Sequence, residues 1–210
     1  MIAHRVLSLL FPPRCVTCRA PGSAICGPCI ASFGGRHVFF CGALACVAVG
    51  SYGGSLRAAV LRFKHGRREL AEPLGALLAQ ALAKEHLGGG IPLVPIPTTV
   101  RRRRARGYDQ ARLLGAVAAR RLGVPALDVL EQTAGDAQRG RSREQRLAAS
   151  GRFRVRGASP LQGRRVLLVD DVATTGATIR DAAATLERAG AYVAGAAVLA
   201  RADEMQRRPG

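Results

Sequence analysis

The chain has 210 residues, 48% of them apolar, and carries 32 Lys and Arg against 14 Asp and Glu for a formal net charge of +18. That length suits one α/β domain with a small appendage, able to bury roughly 70% of the surface its unfolded form exposes, and this apolar content excludes a disordered chain. No run of 18 apolar residues occurs, so no membrane span is expected, and the positive excess favours phosphorylated ligands, nucleotides or nucleic acid without choosing among them.

Tryptophan is absent and aromatic residues make up 4%, so Ala and Val must do much of the packing. All but two of the basic residues, Lys64 and Lys84, are Arg. Residues 1–11 hold a short apolar stretch, Val6 to Phe11 broken only by Ser8, ahead of Pro12-Pro13. It is too short for the apolar region of a secretory signal and has no small-residue cleavage site. A surface helix packed on the domain is expected, and the chain reads as cytoplasmic.

All six cysteines fall within the first 46 residues. Four form two CxxC pairs, Cys15/Cys18 and Cys26/Cys29, with Pro12, Pro13, Pro21, Gly22, Gly27 and Pro28 as turn formers around them. A CxxC turn aims two thiolates at one point, and two such turns complete a tetrahedral Zn²⁺ site. A reducing compartment favours metal over disulfides, and neither pair opens a helix after a strand as a redox motif would. Disulfides and a degraded, metal-free site are the alternatives. Such a closed, four-thiolate site is structural. Cys41 and Cys46 read as packing residues or remnants of a further knuckle, with His37 a candidate substitute ligand. Residues 1–46 are therefore expected to form an N-terminal helix and a zinc module, and 47–200 the main domain.

Val47 to Tyr52 predicts a strand and Leu56 to Phe63 a helix leading into Lys64-His65-Gly66. The spacing of Leu70, Leu74, Leu77, Leu78 and Leu82 predicts a helix over 69–87, stopped at Gly88-Gly89-Gly90. Leu93 to Pro97 reads as a short buried strand whose prolines point to a rigid loop at its end. Arg101 to Gln110 follows. A basic run alone is usually a solvated face. This one follows a strand end, and Gly107 is expected to open a helix over Asp109–Leu122, so its guanidiniums can gather round an anion and grip it bidentately.

Gly163 to Asp170 predicts a strand, 174–189 a helix, Ala191 to Leu199 a final strand, and the residues from 201 a polar tail. The most informative string spans the first junction, Leu167-Leu168-Val169-Asp170-Asp171-Val172-Ala173-Thr174-Thr175-Gly176-Ala177-Thr178-Ile179. It places acids and exposed N–H groups at the carboxyl end of a strand, where open α/β sheets bind ligands. The N–H groups that open a helix favour a phosphate. Thr174, Thr175 and Thr178 add hydroxyl donors, while Gly176 and Ala177 allow close approach. Asp170 and Asp171 would repel a bare phosphate, but suit sugar hydroxyls or a bridging Mg²⁺. An ordinary helix cap would use the same residue types. A Walker-type nucleotidase would need a Gly-Lys pair, and the chain has none.

The string resembles the phosphoribosyl-diphosphate (PRPP) signature of type I phosphoribosyltransferases. Taken in order with the double CxxC, Tyr52-Gly53-Gly54-Ser55-Leu56-Arg57, Phe63-Lys64, Val94-Pro95-Ile96-Pro97 and Arg106-Gly107-Tyr108-Asp109-Gln110, it resembles the ComF family of bacterial phosphoribosyltransferase-like proteins, over about residues 10 to 200. That family usually has Phe and Asn at the positions of Tyr108 and Asp109. Between 133 and 153, Gln138 and Arg146 fit its pattern, whereas Arg141 and Ala149 stand where Leu and Asn are usual.

The resemblance implies a type I phosphoribosyltransferase fold, a mostly parallel twisted sheet flanked by helices, with the zinc module at its N-terminus and a flexible active-site loop at 131–155. It implies a glycosyltransferase that binds PRPP with Mg²⁺. Asp170 and Asp171 would be the catalytic pair, holding the ribose and assisting the metal. Ala173, Thr174, Thr175, Gly176, Ala177 and Thr178 would hold the 5′-phosphate, and Lys64, Arg104 and Arg106 the diphosphate. The rival reading is a non-catalytic PRPP or nucleotide sensor, or an adaptor in DNA uptake that binds single-stranded DNA or a DNA-uptake protein. The basic segments lack the interleaved aromatic residues that stack bases.

Overall fold

The computed structural model describes residues 13–85, 87, 89–133, 151–157 and 161–202. The expected N-terminal helix, positions 134–150 of the expected active-site loop with Gln138, Arg141, Arg146 and Ala149, and most of the expected polar tail lie outside the described residues. Among those described, seven strands and six α-helices are interspersed along the chain. Five strands form one sheet: β1 (His37–Cys41), β2 (Leu44–Ser51), β3 (Leu93–Pro95), β6 (Arg165–Ala173) and β7 (Tyr192–Arg201), in the order β1-β2-β7-β6-β3. The last four of that order run parallel, and only β1 is antiparallel, at an edge. β4 (Leu130–Gln132) and β5 (Phe153–Val155) pair separately as an antiparallel ribbon.

Strand periodicity sorts the core into two layers. Leu167 and Val169 of β6 pack with Leu56, Leu74, Leu78 and Leu114, beneath α2 (Gly54–Lys64), α3 (Ala71–Lys84) and α5 (Gln110–Leu122). Val166 and Leu168 point the other way, to Leu130, Phe153 and the Ile179, Ala182 and Leu186 of α6 (Ala177–Arg188). Continuous apolar runs such as Val166 to Val169 are what a sheet covered on both faces demands. Each fully buried Leu contributes about 1.5–3 kcal/mol. The result is a mostly parallel sheet with flanking helices, as expected. No helix among the described residues is long and apolar enough to cross a membrane.

The N-terminal module packs onto this core. Cys15, Ile25, Cys29 on the short α1 (Gly27–Ala31) and Phe33 share a buried cluster with Leu56. Gly50 of β2 lies so close to the Phe33 carbonyl that a Cβ there would collide with it. The strand expected to begin at Val47 begins at Leu44 and follows a two-residue turn, Gly42-Ala43, from β1. Gly42, at φ +68°, supplies the left-handed conformation such a hairpin needs. The expected boundary after residue 46 thus falls within a strand. Cys41, Cys46 and His37 all belong to the sheet.

Two further local differences bear on the site. The arginine run is itself a helix, α4 (Val100–Arg106), capped by Thr99, whose hydroxyl accepts from the Arg102 N–H at 3.1 Å. Gly107, at φ +78°, ends that helix rather than opening the next, and Asp109 caps α5, accepting from the Arg112 N–H at 3.3 Å. Moreover, β6 continues past the expected end at Asp170 to Ala173, because Asp170, Val172 and Ala173 still pair with Val198, Ala200 and Arg201 of β7. α6 accordingly starts at Ala177, leaving Thr174 to Gly176 as the turn.

Candidate functional site

Beyond the carboxyl ends of β3 and β6 a cavity of about 330 Å³ opens. β6 delivers Asp170, Asp171 and Val172 to it, and successive residues of a strand point to opposite faces. Asp171 turns to the α2 side, where its Oδ2 meets Nζ of Lys64, the last residue of that helix, at 3.0 Å. Asp170 accepts the Asp171 N–H at 2.7 Å. Burial and then the neighbouring Asp171 charge push the Asp170 carboxyl well above its usual range, with Asp109 adding to the effect and Lys64 opposing it.

Of the expected phosphate-turn residues, Thr174 and Thr178 line this cavity. Thr175 is exposed, and its hydroxyl accepts from the Ala177 N–H at 3.4 Å. Gly176, at φ +70°, sits directly over the Cys41 sulfur, so that any Cβ at 176 would strike it. Ala173 stands apart. It ends β6 with its side chain in the core, and its carbonyl accepts from the Ala202 N–H at 2.8 Å.

A cationic wall faces the acids. Lys64, Arg102 and Arg106 line the cavity, and Arg104 does not. The expected pairing of Arg104 with Arg106 treated the segment as a loop. On a helix, residues four apart share a face and residues two apart do not. Arg106 donates to Gln110 Oε1 at 2.9 Å. Gln110 is 2% exposed, and its Nε2 has no hydrogen-bond partner among the described residues. Because Arg can only donate, the Gln110 amide is fixed with its oxygen toward Arg106 and its NH₂ left over as an unmatched donor.

Tyr108 ties this wall to Lys64. Its hydroxyl donates to the Phe63 carbonyl and accepts from the Gly66 N–H at 3.3 Å, and its ring lies 5.7 Å from that of Phe63. Asp109 holds the loop after β3, accepting from the Thr98 N–H at 2.9 Å. The remaining wall comes from the β4–β5 ribbon, through Gln132, Arg152 and Phe153. Sequence reasoning placed all three within the expected active-site loop, 131–155, without singling any of them out as a site residue. Position next to a phosphate turn formed far away in sequence leaves no local pattern.

In the N-terminal module, the four thiols of Cys15, Cys18, Cys26 and Cys29 lie within 4.8 Å of one another, and the Cys18 and Cys26 sulfurs are 3.5 Å apart. Four sulfurs at about 2.3 Å from a central ion in a tetrahedron stand about 3.8 Å from each other. The cluster is thus preformed to hold a structural metal. Burial raises the Cys15 thiol, but N–H groups of Cys18, Cys26 and Thr17 more than offset it and bring it down to about 6. Burial and its neighbouring thiols push Cys29 up to about 12. His37 is not in the group, and its Nδ1 lies 3.4 Å from the Gly35 carbonyl.

Residues 109–209 match the family model of the phosphoribosyl transferase domain. The DNA utilization protein YhgH of Salmonella typhi is 34% identical over 157 residues, 69% of this chain and 66% of that protein, and the protein of the same name from Salmonella typhimurium gives the same figures. The chain thus spans 66% of the length of these curated relatives. A solved structure of the allosteric regulatory enzyme of purine biosynthesis aligns at 20% identity and a TM-score of 0.43, covering 61% of this chain and 26% of that one. With its domain match, its homology to the DNA utilization protein and its ordered motifs, the chain belongs to the ComF-like phosphoribosyltransferase-domain proteins.

Proposed function

We propose that the cavity binds PRPP together with Mg²⁺ and that the chain transfers or recognises its phosphoribosyl group. One observation carries this reading. Paired carboxylates, the opening turn of α6 and a wall of Lys64, Arg102 and Arg106 border a single cavity. Each matches a different part of a sugar carrying a phosphate at one end and a diphosphate at the other. The turn's N–H groups and the Thr174 and Thr178 hydroxyls suit the 5′-phosphate. Asp170 and Asp171 are placed for the ribose hydroxyls. The cationic wall and the unmatched Gln110 NH₂ suit diphosphate oxygens.

The donor set also fits Mg²⁺, which takes hard oxygens from one or two carboxylates and completes its shell with phosphates and water. When bound, the ion would neutralise charge on the departing diphosphate. The chain's own residues hold the sugar, orient its anomeric carbon and receive the anion that accumulates as the C–O bond breaks. In the N-terminal module, the four-thiol cluster is the donor set of structural Zn²⁺. We assign residues 131–155 as the segment that closes over the cavity, with β4 and β5 as its two stems.

Calorimetry with PRPP and Mg²⁺ tests the reading. Binding is expected, and Asp171→Ala or Thr174→Ala should weaken it about tenfold or more. A screen for diphosphate release against bases and amines then separates transferase from sensor. The relatives' name favours a second reading, a role in DNA handling, and the outward Arg101, Arg103 and Arg104 of α4 suit a polyanion. Single-stranded DNA binding at physiological salt that survives Asp171→Ala, with no PRPP binding in the parent chain, would select it.

A further inference from the structure

The turn after β6 has no cation of its own. It offers hydroxyls and main-chain N–H groups, while Asp170 and Asp171 immediately before it repel an anion. The nearest basic residue along the chain, Arg180, is exposed but already engaged with the main chain of the turn. It donates to the Thr175 carbonyl at 2.9 Å and packs against Gly42 and Gly176. Lys64 and Arg106 are engaged elsewhere, with Asp171 and Gln110.

Arg152 reaches the turn from the opposite side. Its Nη1 donates to the Thr178 hydroxyl at 3.4 Å, and both residues line the cavity. Its backbone is held on two sides. The Arg152 N–H donates to Asp181 Oδ2, one turn into α6, at 2.8 Å, and the Arg152 carbonyl accepts from the Thr133 N–H at 2.9 Å. The Thr133 hydroxyl also donates to the Gly151 carbonyl at 3.1 Å. A fixed main chain thus presents an exposed guanidinium beside the turn. A neutral hydroxyl engages one of its five N–H donors. A phosphate would take two of them at once.

We infer that Arg152 is the counter-charge of the phosphate subsite, gripping the sugar's 5′-phosphate from the β5 side while the turn holds it from the α6 side. This rests on the reading of the turn as the 5′-phosphate site. It also gives the β4–β5 ribbon a part in binding, since the ribbon brings the only guanidinium that touches the turn's own hydroxyls among the described residues.

Titration of the whole chain with ribose 5-phosphate, and separately with Mg²⁺ and inorganic diphosphate, decides the matter. Arg152→Gln should lower affinity for ribose 5-phosphate roughly tenfold to a hundredfold, the range for a lost charge-assisted hydrogen-bonded pair. Affinity for Mg²⁺-diphosphate should stay within about twofold, because that anion's wall stands on other helices. Arg152→Lys should fall between, keeping the charge and losing the fork. Retained diphosphate binding excludes a misfolded variant. Wild-type affinity of Arg152→Gln for ribose 5-phosphate would overturn the assignment alone. Absence of ribose 5-phosphate and PRPP binding in the parent chain would overturn the assignment and the PRPP reading together. Equal losses for both ligands would also overturn it, since Arg152 would then be acting on the site as a whole.

Discussion

Asp170 shows how much a single group's surroundings matter. Its carboxyl is raised by burial and by Asp171. A folded state that holds a proton more tightly than the unfolded chain loses stability as pH rises from the ordinary carboxylate value, near about 3.9, through the raised one. Asp170→Asn removes that loss and keeps an oxygen to accept the Asp171 N–H. It should raise Tm at neutral pH by a few degrees, about 2–4 °C per kcal/mol recovered. Below about pH 4, where Asp170 is protonated in both states, the two melting curves should converge. A variant that melts lower at neutral pH would show that the carboxylate is not strained there. Tyr108 shows the limits of sequence at this scale. Its motif was legible, but the use of its hydroxyl to clamp the end of α2 beneath Lys64 was not, because the two acceptor and donor partners lie some forty residues upstream. Asp109, likewise, was legible as part of a motif and not as the anchor of Thr98.

Among the elements, α4 carries the clearest lesson. Five arginines in seven positions give no apolar stripe, and none of its residues is buried, so periodicity could not reveal a helix. The Thr99 cap and the Gly107 stop were the readable signals. Once the helix is known, its faces follow. Arg102→Gln should weaken binding of PRPP with Mg²⁺ about tenfold, while Arg104→Gln, on another face, should change it less than about twofold. Titration of both variants checks this, and equal effects would refute the helical partition of the wall. The β6–turn–α6 junction was legible in kind because three signals coincide: an apolar run, two acids and a small-residue turn. Its bounds were not, since hydrogen bonding to β7 carries the strand three residues past the first acid. The β1–β2 hairpin went unread because Gly42-Ala43 gives only half of a familiar turn pair, and two of the five residues of β1 are exposed.

For the whole molecule, the double CxxC spacing was enough to anticipate the four-thiol cluster, because local geometry sets it. Its attachment was not legible. Cys15, Cys29, Ile25 and Phe33 share the core that Leu56 and Leu74 build. Stripping metal should therefore cost the entire domain rather than one appendage. With structural thiolate sites contributing several kcal/mol to folding, chelation should lower Tm by about 10 °C or more. Metal content by elemental analysis, before and after, should change from about one zinc per chain to none. A melting curve indifferent to chelation would refute the coupling. Acid should act in the same direction, since protons compete with the ion for thiolates.

The contact of Gly176 with the Cys41 sulfur joins the outermost hairpin to the mouth of the cavity. No spare atom separates the two segments, so the hairpin works as a shim under the anion seat. Lengthening the residue at 41 would tilt that seat without touching anything that binds there, and a thinner residue would let it sag. The fit of a ligand is thereby set partly from a strand on the far edge of the sheet.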